Sequence, residues 1–266
     1  EVSKNVVVVG GGPGGLYAAW ICALRGHQVT LLEKHPELGG NFRIAAYPTG
    51  KGQITEVIRS FIVKCEKAGV DLRCNVEADE ALLTSLHPDA IILATGSTPL
   101  ILPIPGLDTC GYITAQDMLE GKAPMGQKVL VVGGGMVGCE AAEYLAERGH
   151  EAAVIEMKDV IAADVTPENR RYMFANFEEH HVLLRPSAKV SQFYPDGVDY
   201  TLADGTAGSL RGYDNVVLAM GSRSNAVLKE TAEKVAPQVF VIGEAAKAPG
   251  NAVLATHDAL EAALQI

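Results

Sequence analysis

A unit of strand, glycine turn and helix occurs twice in this sequence, and that repeat limits the fold more than any other feature. Val6-Val7-Val8-Val9 leads into Gly10-x-Gly12-x-x-Gly15. Val129-Leu130-Val131-Val132 leads into Gly133-x-Gly135-x-x-Gly138, 123 residues later. The same offset carries Ala18-Ala19 onto Ala141-Ala142, Arg25-Gly26-His27 onto Arg148-Gly149-His150, and Glu33 onto Glu156. Further along, Ile91-Ile92-Leu93-Ala94-Thr95-Gly96-Ser97 resembles Val216-Val217-Leu218-Ala219-Met220-Gly221-Ser222 at an offset of 125. The chain holds two copies of one module. Its 266 residues leave room for about two domains at ~150 residues each.

Each copy reads as an α/β element. The valine runs are short, β-branched and apolar at every position, as a strand buried on both faces must be. Helices are expected over Leu16 to Arg25 and Cys139 to Arg148, and Gly26 and Gly149 stand where a helix end needs a left-handed residue. Second strands are expected at Gln28 to Leu32 and Glu151 to Ile155. This is the opening of a doubly wound parallel sheet. The first copy continues through a helix at Ile54 to Lys67 and strands near Val70 to Cys74 and Ala90 to Ala94. Pro99, Pro103, Pro105 and Gly106 then mark a boundary. A last strand, Val239 to Gly243, and a last helix, Ala252 to Ala263, find no counterpart in the second copy. They are expected to return to the first, so that the second domain (108–226) is inserted between two parts of the first (1–107 and 227–266).

Composition excludes several classes. The net charge is −10, which argues against a nucleic-acid binder, since that needs a basic stripe to neutralise phosphates. A polybasic membrane patch is disfavoured for the same reason. No apolar run approaches the ~18 residues of a membrane-spanning helix, and nothing reads as a signal peptide. Cys22, Cys65, Cys74, Cys110 and Cys139 are odd in number and never spaced C-x-x-C, which disfavours a disulfide framework or a cysteine zinc site. A reducing, cytoplasmic compartment is expected. The start at Glu1, without methionine and close before the first strand, is what a piece of a longer protein would show.

The glycine motifs carry the chemistry. The first glycine allows a tight turn, the second lets backbone approach a pyrophosphate, and the third lets helix pack on strand. The phosphates then rest on free N–H groups at the positive end of the helix. An acid about 20 residues on accepts from ribose hydroxyls, and Glu33 and Glu156 each follow the first glycine by 23 residues. One such motif can be a turn that merely packs. Two copies, each behind a buried strand and each with its acid, point to two dinucleotide sites. A nicotinamide and a flavin adenine dinucleotide are the natural pair, because hydride passes directly between their rings.

The segment Glu33-Lys34, then Leu38-Gly39-Gly40-Asn41-Phe42, then Ala45-Ala46-x-Pro48-x-Gly50-Lys51 resembles the C-terminal half of the 2,4-dienoyl-CoA reductase, enoate reductase and trimethylamine dehydrogenase group. So do Gly133 to Glu140 and the closing Val241-Ile242-Gly243. The resemblance covers essentially the whole chain. It implies an FAD- and NAD(P)H-binding half that takes hydride from NADH onto FAD and passes electrons to an upstream iron–sulfur cluster and flavin mononucleotide barrel. Neither partner is in this sequence, since a (β/α)8 barrel alone needs ~250 residues.

By the same resemblance, Gly10, Gly12, Gly14 and Gly15 cradle the FAD pyrophosphate, and Glu33 holds the adenosine ribose with Lys34 nearby. Gly40 and Asn41 lie along the cofactor, Val76 offers backbone to adenine, and Ala94-Thr95-Gly96 pass close at the crossover. Gly243 and Glu244 follow the ribityl-phosphate chain. The matching nicotinamide set is Gly133, Gly135, Met136, Val137, Gly138 and Glu156, with Ala219 and Gly221 at the crossover. Glu156 favours NADH over NADPH, since a 2′-phosphate would meet a like charge; Lys158 and Arg170 are close enough in sequence to blunt that. One departure stands out. The group carries aspartate where this chain has Glu244, which leaves open whether the longer carboxylate still reaches a ribityl hydroxyl or the flavin site is weakened.

Other polar residues have plainer readings. His27 and His150 follow a capping glycine, so the turn explains them. His180-His181 fits a helix end better than a metal, and His257 has no partner at metal spacing. Met136 and Met157 suit gap filling, and Glu178-Glu179 a solvated helix face. Cys139, just inside a helix start, suits burial against the strand. The expected function is an NADH-dependent flavin reductase module. A non-catalytic nucleotide-binding module, the role found in the trimethylamine dehydrogenase type, and a free-standing NADH oxidase or diaphorase are the alternatives.

Overall fold

The computed structural model describes residues 2–48 and 50–266. They divide into two compact units, Glu1–Thr98 with Ser222–Ile266, and Pro99–Gly221. The first unit runs β1 (Asn5–Val9), α1 (Pro13–Leu24), β2 (Gln28–Leu32), α2 (Gly40–Ile44), α3 (Gln53–Lys67), β3 (Asp71–Arg73), α4 (Glu80–Ser85), β4 (Ala90–Leu93) and leaves along β5 (Ser97–Pro99). The second holds β6 (Ile113–Thr114), α5 (Ala115–Leu119), β7 (Lys128–Val132), α6 (Met136–Ala146), β8 (Glu151–Ile155) and α7 (Pro167–Glu179). It continues through β9 (Leu183–Arg185), β10 (Ala188–Tyr194), β11 (Gly197–Leu202), β12 (Ala207–Leu210) and β13 (Asn215–Leu218). The chain returns through β14 (Ser222–Ser224), α8 (Lys229–Val235), β15 (Gln238–Val241) and α9 (Ala252–Gln265).

Each unit is built on a five-stranded parallel sheet, ordered β15-β4-β1-β2-β3 in the first and β6-β13-β7-β8-β9 in the second. In both, the strand before the glycine turn is central, and the chain departs to one side and later returns on the other. The crevice at the strand ends is therefore a topological switch point, where such sheets bind ligands. Val6, Val7 and Val8 are fully buried because both faces of the first sheet are covered. Val6 and Val8 share one cluster with Leu16, Cys22, Cys65 and Ala259, from α1, α3 and α9. Val7 and Val9 share the other with Leu83 and Ala232, from α4 and α8. Each valine so buried contributes about 1.5–3 kcal/mol. In the second unit the antiparallel meander β10-β11-β12 supplies Val190, Phe193 and Val198 to one face, against Leu130, Val132 and Ile155.

Three expectations are revised. The second copy does have a counterpart of the closing strand and helix: β6 lies beside β13 as β15 lies beside β4, with α5 following β6. It precedes the repeat instead of following it, so the two copies are circularly permuted at that edge. The units also divide ahead of the proline-rich crossing and not after it. Phe193 N–H donates to Pro105 O at 2.8 Å, and Ile104 and Leu107 pack into the second unit's core, which holds that crossing in the second unit. The re-entry likewise comes at Ser222, earlier than 227. Finally, α1 and α6 begin three residues before the expected Leu16 and Cys139, at Pro13 and Met136, because extended Gly12 and Gly135 already start the helical bonding: Leu16 N–H donates to Gly12 O and Cys139 N–H to Gly135 O, each at 2.9 Å.

Candidate functional site

The glycines at the end of β1 are required by close approach. Gly10 has φ +106°, and a methyl built on it would stand 2.3 Å from Ala94 O. A methyl on Gly15 would stand 1.9 Å from Gly10 O. No L side chain fits either place. Gly12 is different, because a methyl there would meet nothing within 4 Å. Its backbone borders open space at the start of α1, where no side chain of the capping residue covers the first N–H groups. Helix starts of this kind are where anions bind. Gly40, in a left-handed conformation, lies against it, 3.2 Å from Gly12 Cα by the same measure. Gly14 instead makes room for α9, 3.2 Å from Ala255 O.

Glu33 stands at the end of β2 and is only 5% exposed. Gly11 N–H donates to its Oε2 at 2.7 Å and His35 N–H to its Oε1 at 2.8 Å. A carboxylate has about four lone-pair sites, so each oxygen keeps one for a hydroxyl. Val76 N–H donates to Glu33 O at 2.9 Å, which puts Val76 beside the acid. Lys34 is exposed.

The crossover after β4 is pinned by a residue that sequence reading missed. Asn225 accepts from Thr95 Oγ1 through its backbone carbonyl, and its own N–H donates to Gly96 O at 3.0 Å. Asn41 Nδ2 donates to Ser97 O at 3.4 Å. Glu244 turns onto its own chain: Ser97 Oγ donates to Oε2 at 2.8 Å and Gly250 N–H to Oε1 at 3.0 Å. The extra methylene thus serves a loop tether. Gly243, φ +59°, donates its N–H to Asp258 Oδ2 at 3.0 Å, a second contact not foreseen.

The second copy repeats this construction. Gly133, φ +110°, would place a methyl 2.2 Å from Ala219 O, and Gly138 would place one 1.9 Å from Gly133 O. Glu156, 9% exposed, accepts from Gly134 N–H at 2.6 Å and Lys158 N–H at 2.8 Å. Met136 and Val137, 40% and 48% exposed at the start of α6, are open to a ligand. Gly221 has φ +109° and accepts from Leu100 N–H at 2.9 Å. The second copy adds one contact at its helix start: Asp164 Oδ1 accepts from Met136 N–H at 2.8 Å.

The plainer histidines and cysteines behave as structure, whereas Met136 and Met157, 40% and 63% exposed, fill no gap in the core. His27 Nδ1 accepts from Lys4 N–H at 3.3 Å and His150 Nδ1 lies 2.8 Å from Gly126 O, so each imidazole secures the lead-in to a central strand. His180 ends α7. All five cysteines are free, and burial pushes the thiols of Cys22, Cys65 and Cys139 up to about 12. Among the described residues no cluster of His, Cys, Asp and Glu is placed to hold a metal, and no helix is long and apolar enough to cross a membrane.

Comparison with known proteins agrees with this geometry. An NADH oxidase of Thermoanaerobacter brockii is 39% identical over 270 residues, covering 100% of this chain and 41% of the relative. A cinnamate reductase of Clostridium sporogenes is 32% identical, covering 100% and 40%. A solved 2-naphthoyl-CoA reductase is 32% identical, with a TM-score of 0.94 over 100% of this chain and 40% of that one. The chain thus spans about two fifths of the length of these relatives. The resemblance to the dienoyl-CoA and enoate reductase group is borne out. Residues 4–259 match the profile of the pyridine nucleotide-disulphide oxidoreductase family. The chain belongs to that family of FAD- and NAD(P)-binding oxidoreductases.

Proposed function

We propose that this chain is an NADH-dependent flavin reductase module, with FAD on the first unit and NADH on the second. The observation that carries the reading is the doubled construction in which a buried acid grips the glycine loop, Glu33 on Gly11 and Glu156 on Gly134. FAD, when bound, supplies the acceptor for hydride from the nicotinamide. The chain's own residues bind, orient and exclude water. The open backbone at Gly12 and the first N–H groups of α1 take the pyrophosphate, and the residual lone pairs of Glu33 accept from ribose hydroxyls. Asn225 holds Thr95 and Gly96 in place along the cofactor. Asn251 caps α9 by accepting from Leu254 N–H at 2.9 Å, which adds a helix start near Gly243. No side-chain acid or base is needed for hydride transfer itself.

In this reading the electrons leave for an FMN and iron–sulfur barrel, upstream in the same protein or on a partner, that reduces an enoate or enoyl-CoA. The relatives named cinnamate reductase and 2-naphthoyl-CoA reductase support that acceptor class. The relative named NADH oxidase favours a second reading, in which the reduced flavin passes electrons to oxygen. The deciding experiment is the visible spectrum of the purified, FAD-loaded protein under anaerobic addition of NADH. Bleaching of the flavin bands supports electron entry through this chain. Bound flavin that NADH leaves unbleached supports a purely structural nucleotide-binding module. Re-oxidation by air at the rate of turnover favours the oxidase.

A further inference from the structure

The two phosphate-binding helix ends are built alike but are not equally open. After its acid, each copy sends a loop back to the residue between the first two glycines of its motif. Gly39 N–H donates to Gly11 O at 2.8 Å, and Ala162 N–H donates to Gly134 O at 2.7 Å. Both loop residues have positive φ, +118° and +55°, and they are 123 residues apart, the offset of the repeat. Two residues further along, the copies diverge. The first has Asn41, a neutral amide that turns to Ser97 O. The second has Asp164, a carboxylate that accepts from the first N–H of α6. Its other oxygen would stand 3.4 Å from a methyl on Gly135, where Gly12 meets nothing within 4 Å.

We infer that Asp164 is a built-in, displaceable anion on the pyrophosphate end of α6, which keeps nucleotide binding in the second unit weak and exchangeable. The inference rests on the assignment of that end as the NADH pyrophosphate site. A carboxylate at a helix N-terminus satisfies a free N–H and is favoured by the helix dipole. An incoming pyrophosphate needs the same N–H and the same positive end, so the two anions exclude each other. Asp164 is exposed, so water can take over its hydrogen bond when it leaves. Among the described residues the first unit shows no such competitor at Gly12, which suits a cofactor that stays bound, while a hydride donor must leave oxidised after every turnover.

The test is calorimetric titration of the FAD-loaded protein and of its Asp164→Asn and Asp164→Ala variants with ADP-ribose, which keeps the pyrophosphate, and with adenosine, which lacks it. Both variants are expected to bind ADP-ribose about fivefold more tightly, the scale of one helix-end charge, with adenosine unchanged. Equal or weaker ADP-ribose binding in both variants overturns the inference, as does equal tightening for adenosine. A Gly135→Val control keeps the two readings apart. If it abolishes ADP-ribose binding while the Asp164 variants bind like the parent, only the role of Asp164 falls. If ADP-ribose binding survives it unchanged, or is absent from the parent and every variant, the site assignment falls as well.

Discussion

Glu33 and Gly11 are joined by a buried hydrogen bond of 2.7 Å that ties the end of one strand to the glycine loop after its neighbour. The acid therefore shapes the loop, beside the ribose-binding role proposed for it. Glutamine at this position keeps one acceptor but turns its amide donors toward Gly11 or His35 N–H. Glu33→Gln is expected to lower stability by about 2 kcal/mol, the cost of a buried donor left unpaired, and to weaken FAD binding. Glu156→Gln should lower stability comparably and leave FAD in place. Thermal unfolding with and without FAD checks both; a Glu33→Gln protein as stable as the parent would count against the tether.

Gly12 and Gly135 give the cleanest assignment of the two nucleotides. Space for a side chain exists at Gly12, and its conformation is extended, φ −72°, so valine there should fold. It would fill the approach to α1, and Gly12→Val is expected to abolish bound flavin. Gly135→Val, next to Asp164, should leave flavin bound and abolish bleaching by NADH. The opposite pattern of flavin absorbance would mean that the sites are exchanged.

The sequence was legible where structure is local or repeated. β2 and β8 are readable to the residue, since their apolar runs end at capping glycines on one side and at the acids on the other. The edge pair β6 and α5 was hidden, because a strand of two residues leaves no pattern and this one lies before the repeat begins. Glu33 and Glu156 were legible as acids at a set spacing, but their grip on Gly11 and Gly134 was not, since the spacing is equally compatible with an acid that only faces solvent. Asn225 and Asp164 were missed because their partners lie 130 and 28 residues away, with no motif joining them.

The buried thiols separate this chain from dithiol chemistry, which needs a close reactive cysteine pair beside the flavin. Thiol alkylation at neutral pH is expected to leave NADH-to-dye activity largely intact; loss of most activity with the fold preserved would contradict this. The same thiols set an alkaline limit. Cys22, Cys65 and Cys139 titrate near 9.0 when unfolded and are held up to about 12 when folded. Above pH 9 the unfolded chain loses protons that the folded chain retains. Their stabilising contribution, fully present below that pH, therefore falls by about 1.4 kcal/mol per pH unit per thiol, until the folded thiols titrate in turn. Replacing Cys22 by alanine should flatten the alkaline arm of a plot of unfolding free energy against pH.

Selection of NADH over NADPH should follow from how firmly Glu156 is held. Both of its oxygens accept backbone N–H groups, so it cannot swing away from a 2′-phosphate without leaving those donors unpaired. Arg170 stacks over the Phe174 ring, 5.2 Å from its centre, and Lys158 is exposed; among the described residues neither side chain forms an ion pair with Glu156. We expect kcat/KM to favour NADH by about tenfold or more, a difference of about 1.4 kcal/mol. Glu156→Ala should narrow the gap. An equal or better kcat/KM with NADPH would reverse the assignment.

The last prediction concerns what these 266 residues do without a further domain. With FAD and NADH they should reduce ferricyanide or a soluble dye, yet fail to saturate an α,β-unsaturated acid or acyl-CoA. Saturating that double bond takes a hydride to the β-carbon, a proton to the α-carbon and a polarising contact on the carbonyl. Among the described residues both units are dinucleotide-type sheets, and the acid beside the first crossover, Glu244, is held by Ser97 Oγ and Gly250 N–H. Anaerobic incubation with NADH and cinnamate or a crotonyl thioester, followed by mass spectrometry, checks this. Saturated product at a rate comparable to dye reduction would show that the chain carries its own reducing site. Dye reduction without product leaves the chain as the entry point for electrons, with the carbon chemistry performed elsewhere.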